Sequence, residues 1–309
     1  MFDLVKDPST GKIPRNIIDQ ELSFARMIPE KGNNPNATNR VTALNTYFPA
    51  GPNNQGGRTR AVAYDIRYNG TTNQIILAGG VSGGIQRSND GGQTWTRVSP
   101  DNEIHNITNI VQDPRTGNQD IWYAGGGESL GNSTSGLFAT FLGFGLYKSV
   151  NNGATWTRLP LNTITDINGT TILGAGALET FDHPFDFVHK IIVNPVNGDV
   201  YIAGHRRLVR STDGGNNFRV VFGSSIAANS ATGQMEIAVT GTGKLLLGVN
   251  GGNPDATLRG VWVSTTGNAG NWTRIAGGAV LNLHSAQRHL QCGTSFRRCL
   301  LLIPTHHEG

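Results

Sequence analysis

Three carboxylates and two arginines are the side chains of this sequence best suited to chemistry. Asp182 and Asp186 flank Pro184 in the run Asp182-His183-Pro184-Phe185-Asp186, and Glu236 opens a later apolar segment. Two acids facing one cleft could act as general acid and general base on a glycosidic bond, their separation choosing inversion or retention. The same aspartates equally suit an Asx-turn and a strand-start cap around the proline. Arg58 and Arg60 alternate in Gly57-Arg58-Thr59-Arg60. A guanidinium there could grip a carboxylate through a two-pronged fork, or pair with a neighbouring acid. His105, Glu128 and His189 complete the polar set read as ligand-binding. For His183 and His189 a hydrogen-bonded loop position is the plainer reading.

A repeat must position these residues. Four times the chain carries serine, a spacer, Asp or Asn, glycine and a closing aromatic. The copies are Ser88-Asn89-Asp90-Gly91-Gly92-Gln93-Thr94-Trp95, Ser149-Val150-Asn151-Asn152-Gly153-Ala154-Thr155-Trp156, Ser211-Thr212-Asp213-Gly214-Gly215-Asn216-Asn217-Phe218 and a stretched Ser264 to Trp272. The closing aromatics recur roughly every sixty residues, a period that signals a repeat architecture. Glycine supplies the positive φ of a tight turn, and the serine and Asp or Asn side chains can bond the turn's backbone. The aromatic is expected to turn inward and pack between neighbouring sheets. Ser88, Asp90, Gly92, Trp95, Ser149, Asn151, Gly153, Trp156, Ser211, Asp213, Gly215, Phe218, Ser264 and Trp272 are therefore read as structural, with no catalytic part.

Each unit reads as four short strands. In the third these are 189–193, 199–203, 208–211 and 218–222, with Asn194-Pro195-Val196-Asn197-Gly198 as a turn. The fold class is all-β, a β-propeller of four-stranded antiparallel blades. About four to five blades are few for a ring that typically holds about four to eight, so the ring is expected to be incomplete. Residues 1–40 read as a leader with a short helix over 16–27 and a polar linker, 41–280 as the blades, and 281–309 as an atypical, non-native or disordered tail. If the first strand of each blade runs downward, the compact turns and the repeated motif share the lower rim. The long connections then share the upper rim, and rigidly mounted loops are where binding residues collect. Arg58, Arg60, His105, Glu128, Asp182, Asp186, His189 and Glu236 all fall there. The apolar segment 136–144 could serve as a lid or sugar platform, or pack beneath a neighbouring loop.

Composition narrows the partners. Of 309 residues 42 are glycine and only 15% are charged, a profile of strands and tight turns. No apolar run is long enough to span a membrane, and the start Met1 to Pro8 lacks the apolar centre of an export signal. The net charge of +4 has no aromatic-flanked basic cluster behind it, so no nucleic-acid partner is expected. Cys292 and Cys299 both lie in the tail, and with His306-His307 they match no familiar zinc spacing. No metal and no cofactor are expected.

The four motifs resemble Asp-box (BNR) repeats, as found in sialidases, sortilins and xyloglucanase-type glycoside hydrolases. The stretch Gly51 to Ala61 and the run Asp182 to Val188 are similar to segments of secreted BNR-repeat proteins of Bacteroidetes type. The resemblance covers about residues 1–280 and implies a propeller that is secreted or displayed at the cell surface, within a larger multidomain protein. It also implies that an arginine opening the first inner strand, here Arg58 or Arg60, would hold a substrate carboxylate. The full sialidase set of three arginines, a Tyr–Glu pair and an acid Asp is not assignable. The expectation is an exported module binding a glycan or protein through its long-loop face. The alternative is a glycoside hydrolase, sialidase-like or xyloglucanase-like, using Asp182, Asp186 or Glu236.

Overall fold

The computed structural model describes residues 6–14, 17–27, 57–100, 106–128, 141–159, 164–171, 177–178, 183–223, 233–250 and 255–277. The linker, the tail from 281 onward, His105, Asp182 and most of the 136–144 segment lie outside the described residues.

Strand β1 (Ile13–Pro14) and helix α1 (Ile17–Met27) come first. The first blade follows as β2 (Thr59–Tyr64), β3 (Ile76–Gly80), β4 (Ile85–Ser88) and β5 (Thr96–Arg97). The second is β6 (Asn109–Gln112), β7 (Trp122–Gly125), β8 (Leu146–Ser149) and β9 (Thr157–Arg158). Two short strands intervene, β10 (Ile164–Thr165) and β11 (Ala177–Leu178). The third blade is β12 (Lys190–Val193), β13 (Val200–Ala203), β14 (Arg207–Ser211) and β15 (Phe218–Gly223). The fourth is β16 (Met235–Val239), β17 (Leu245–Val249), β18 (Gly260–Ser264) and β19 (Thr273–Ala276).

Within each blade the four strands lie in chain order and pair antiparallel. The first strands neighbour one another across blades, β2 against β6, β6 against β12 and β12 against β16. Four sheets sharing an inner row of first strands make a β-propeller, and the expected strands match to within one or two residues. Two pairings were not anticipated. Strand β10 adds to the outer edge of blade three, parallel to β15. Strand β1 pairs antiparallel with β11, tying the leader to the link between blades two and three.

Burial follows from neighbours. Strand β13, Val-Tyr-Ile-Ala, is buried at every position because blades cover both its faces. Strand β17 alternates: Leu245, Leu247 and Val249 are buried, whereas Leu246 and Gly248 are half-buried on its other face. Three apolar clusters fill the three junctions between successive blades.

The repeated turn has one internal geometry. The serine Oγ accepts from the glycine N–H at 2.8 Å for Ser88–Gly92, 3.0 Å for Ser149–Gly153, 2.8 Å for Ser211–Gly215 and 2.9 Å for Ser264–Gly267. In three copies the serine donates to Asp90, Asn151 or Asp213, whose oxygen accepts the N–H of Thr94, Thr155 or Asn217. The fourth copy has Thr266 in place of the acid, and its Trp272 Nε1 is buried without a hydrogen-bond partner. The second, third and fourth turns also dock on the preceding blade. A Cβ on Gly153 would lie 2.7 Å from Leu77, one on Gly215 2.6 Å from Leu159 and one on Gly267 2.1 Å from Tyr201. A cation of the preceding blade then donates to the turn's backbone: Arg87 to Asn152 O at 3.1 Å, Lys148 to Gly214 O at 2.9 Å and Arg210 to Thr266 O at 3.3 Å.

One expectation needs correcting. Trp156 and Phe218 do turn inward, 5% and 3% exposed, but Trp95 keeps 43% of its surface. The motif is intact there; what differs is that no blade among the described residues precedes the first, so the indole has no second strand to pack against.

This contrast predicts unequal costs for one substitution. Gly92→Ala, Gly153→Ala and Gly215→Ala all place a side chain at positive φ, a cost of about 1–2 kcal/mol each. Only Gly153→Ala and Gly215→Ala also collide with a neighbouring blade, adding about 1–3 kcal/mol. Urea unfolding should rank Gly92→Ala as the mildest, and equal losses would contradict the docking role.

Candidate functional site

The connections divide by rim. Segments 65–75, 89–95, 113–121, 150–156, 194–199, 212–217, 240–244 and 265–272 share the lower rim, whereas the short connections 81–84 and 204–206 and the described ends of the connections after β7, β9, β15 and β17 lie at the upper. Lower-rim side chains are spent on structure. Asp65 accepts from Arg67, Asn73, Gln112 and Asn152. Burial alone would raise its pKa, but these donors hold it well below the usual carboxylate range. Further bonds link neighbouring blades along this rim, Arg67 to Asp120, Arg115 to Asn197 O and Asn194 to Gly243 O.

On the upper rim the structure brings Arg58, Arg60 and Glu128 together. Glu128 is only 4% exposed and pairs through Oε2 with Arg58 and through Oε1 with Arg60 at 3.2 Å. Its backbone exchanges hydrogen bonds with Phe141, closing the base of the connection between β7 and β8. Two guanidinium groups on one carboxylate leave a net positive charge, and Arg60 is 46% exposed. This cluster could hold an anionic or hydroxyl-rich ligand through the arginine donors that Glu128 leaves over.

Asp186 sits at the end of a turn begun by His183. Its carboxylate accepts the His183 N–H at 3.3 Å, its N–H donates to His183 O at 3.1 Å, and its carbonyl accepts from Gly143 at 2.8 Å. The Phe185 N–H donates to His183 Nδ1 at 3.0 Å. Those contacts close a turn around Pro184.

Glu236 lies in β16 beside Lys190 of β12, with Nζ to Oε1 at 3.8 Å. The side chain keeps 27% of its surface, yet packing around the carboxyl raises its pKa to about 7, against the pull of Lys190. His189 precedes Lys190, and its Nε2 is buried without a hydrogen-bond partner. Burial first, and the nearby His205 second, push its imidazole down to about 3.

Asn106 and the segment His205-Arg206-Arg207 belong to this rim and were missed in the sequence. Asn106 is 6% exposed; its Oδ1 accepts from Gly127 N at 2.6 Å and its Nδ2 donates to Leu142 O. Glycine makes the approach possible, since a Cβ on Gly126 would stand 2.2 Å from Asn106 Oδ1. Arg206 adopts φ 60°, and both it and Arg207 are buried. Three consecutive basic residues between a second and a third strand were the available signal. Among the described residues no group of three or more His, Cys, Asp or Glu could hold a metal, and no helix is long and apolar enough to cross a membrane.

Glu236 and His189 give stability opposite pH dependences. A carboxyl raised in the fold contributes fully below its ordinary 4.5, a contribution lost by about pH 7. An imidazole lowered in the fold contributes above its ordinary 6.5, a contribution lost as pH falls towards about 3. Relative to the unsubstituted protein, Glu236→Gln should gain about 1–3 kcal/mol as pH rises through its window. His189→Gln should gain as pH falls through the other. Urea midpoints at several pH values check this, and curves parallel to the unsubstituted protein would contradict it.

No protein-family model matches the chain, and none of the curated proteins compared with it is similar. Solved structures similar to it include an ancestral GH74 enzyme, 22% identical over 71% of this chain and 25% of its own, with a TM-score of 0.49. The GH74 xyloglucanase from Xanthomonas campestris is 18% identical over 72% and 31%, TM-score 0.46. The extracellular domain of BT4673 from B. thetaiotaomicron is 13% identical over 72% and 22%, TM-score 0.43. All are β-propeller proteins, and this chain spans under a third of the length of each.

Proposed function

We propose that the chain is an exported propeller module that binds a glycan or a protein segment across its upper rim, and that its four turns are Asp-box repeats. The observation carrying this reading is the division between rims. The lower rim's polar groups are consumed in turn caps and links between blades. The upper rim bears the long connections and the half-exposed Arg58 and Arg60 around Glu128. Arg60 is the residue best placed to reach a ligand, with Arg58 held more deeply and Glu128 orienting both. Lys190 and Glu236 form a second polar pair on the same rim. We also propose His105 and Asp182, which lie outside the described residues, as ligand contacts.

A glycan array and a peptide panel test this directly. Saturable binding is expected, weakened about tenfold or more by Arg60→Gln, the scale of one charge-assisted contact. The lower-rim variant Lys244→Gln should bind unchanged. Absence of saturable binding, or equal effects of the two substitutions, would overturn the reading.

A second reading is favoured by one observation, the carboxyl of Glu236 raised to about 7. An acid still partly protonated near neutrality is what protonating a glycosidic oxygen requires. In that case Glu236 is the general acid and Asp186 or Asp182 the second carboxylate. Hydrolysis of chromogenic sialosides or β-glucans that disappears in both Glu236→Gln and Asp186→Asn would establish it. A chain inert towards these substrates would leave the binding reading alone.

A further inference from the structure

The first and last of the described blades expose the two halves of a junction made three times between the described blades. In each internal junction a turn glycine and its aromatic sit on a second-strand residue of the preceding blade: Leu77, Tyr123 or Tyr201, all 0–2% exposed. On blade one the inserting half is uncovered. Val62 is 58% exposed, Tyr64 60% and Trp95 43%, whereas the matching first-strand positions in blade three, Ile191 and Val193, are 2% and 3%. On blade four the receiving half is left partly exposed. Leu246 occupies the register of Leu77, each lying one position beyond the residue paired with the turn serine, and it is half-buried with Ala238 and Val263 beside it.

Leucine receiving a glycine–tryptophan turn is the combination already used between blades one and two. The first junction thus supplies the pattern for the uncovered pair: Leu246 for Leu77, Gly92 for Gly153, Trp95 for Trp156. One element is missing. Val263 stands where Arg87, Lys148 and Arg210 each donate to the following turn, pairing with Leu246 as Arg87 pairs with Leu77.

We infer that this chain associates head to tail with a second copy, blade four of one receiving the Trp95 turn of the other. The contact is heterologous, so it closes only if the rotation permits. Two copies bring eight of the described blades round one axis, at the upper end of the roughly four to eight that propellers use. Blade four's lack of the cation makes this junction weaker than the internal three, as an association between separate chains can be. The inference stands apart from the ligand proposed for the upper rim, because the blade faces carry it.

Sedimentation velocity on the full chain, from micromolar concentration upwards, tests it. The mass should rise with concentration to two copies. Trp95→Ala and Leu246→Arg should each weaken association about thirtyfold or more, as loss of a central anchor does. Val263→Arg should tighten it about tenfold by supplying a donor for the Gly91 carbonyl of the other copy. Mixing Trp95→Ala with Leu246→Arg should restore a two-chain complex, because each variant retains one intact half. A monomer at every concentration overturns the inference, including the case in which residues 28–56 or 278–309 cover these faces. So does an association abolished by Trp95→Ala but indifferent to Leu246→Arg and Val263→Arg, which would indicate back-to-back packing.

Discussion

A serine hydroxyl accepting one glycine N–H is the contact on which the rest of this molecule depends. That bond folds the turn tightly enough for the glycine to face outward with no side chain, against the neighbouring blade. A Cβ there would occupy space held by Leu77 or Tyr201, so a single residue type meets two constraints, positive φ and close approach. The turn carbonyl left exposed by this geometry is what Arg87 and Lys148 reach from the preceding blade. Local turn chemistry and blade-to-blade packing are thus one device.

The device has a direction, and that direction organises the molecule. Every repeated turn lies on the lower rim, so the links made by turn backbone gather there, whereas the longest connections, after β7 and β9, leave from the upper. The upper rim also links blades, through Arg58 and Arg60 to Glu128 and Lys190 to Glu236, but it carries none of the repeated turns. Its connections lengthen, and its ionisable groups sit in unusual surroundings: two arginines on one buried carboxylate, a glutamate whose neutral form is favoured, and a histidine buried without a partner for Nε2. Scaffolds that separate a stitched side from an open one commonly place recognition on the open side. At the ends of the row the same directionality leaves one inserting and one receiving face.

Much of this was legible in the residues. Strand positions followed from alternation between turn signals, and the repeat fixed which strands share a sheet. Trp95 shows the limit: its motif is as complete as that of Trp156, and only the absence of a preceding described blade leaves it exposed. The third blade's parallel edge strand, Ile164–Thr165, was not readable either, because two residues carry no periodicity and the pairing is set by packing at the outer edge. Within the candidate site, grouping Arg58, Arg60 and Glu128 on one rim was within reach of strand order. That Glu128 would take both guanidinium groups depended on the glycine-permitted folding of the segment after β7, which no spacing encodes. Asn106 is one of many asparagines in the sequence, and its role as a buried clamp appears only once Gly127 and Leu142 converge on it.

Native-state hydrogen exchange of the turn glycine amides tests the central claim most directly. The N–H groups of Gly92, Gly153 and Gly215 make nearly identical bonds to serine, but only the last two turns are docked on a preceding blade. If docking and turn are one device, Gly153 and Gly215 exchange only when two blades part, and Gly92 exchanges far faster, under conditions where the chain is monomeric. Equal protection at all three glycines would mean that the turn stands by itself, and that the blades are held together by something else.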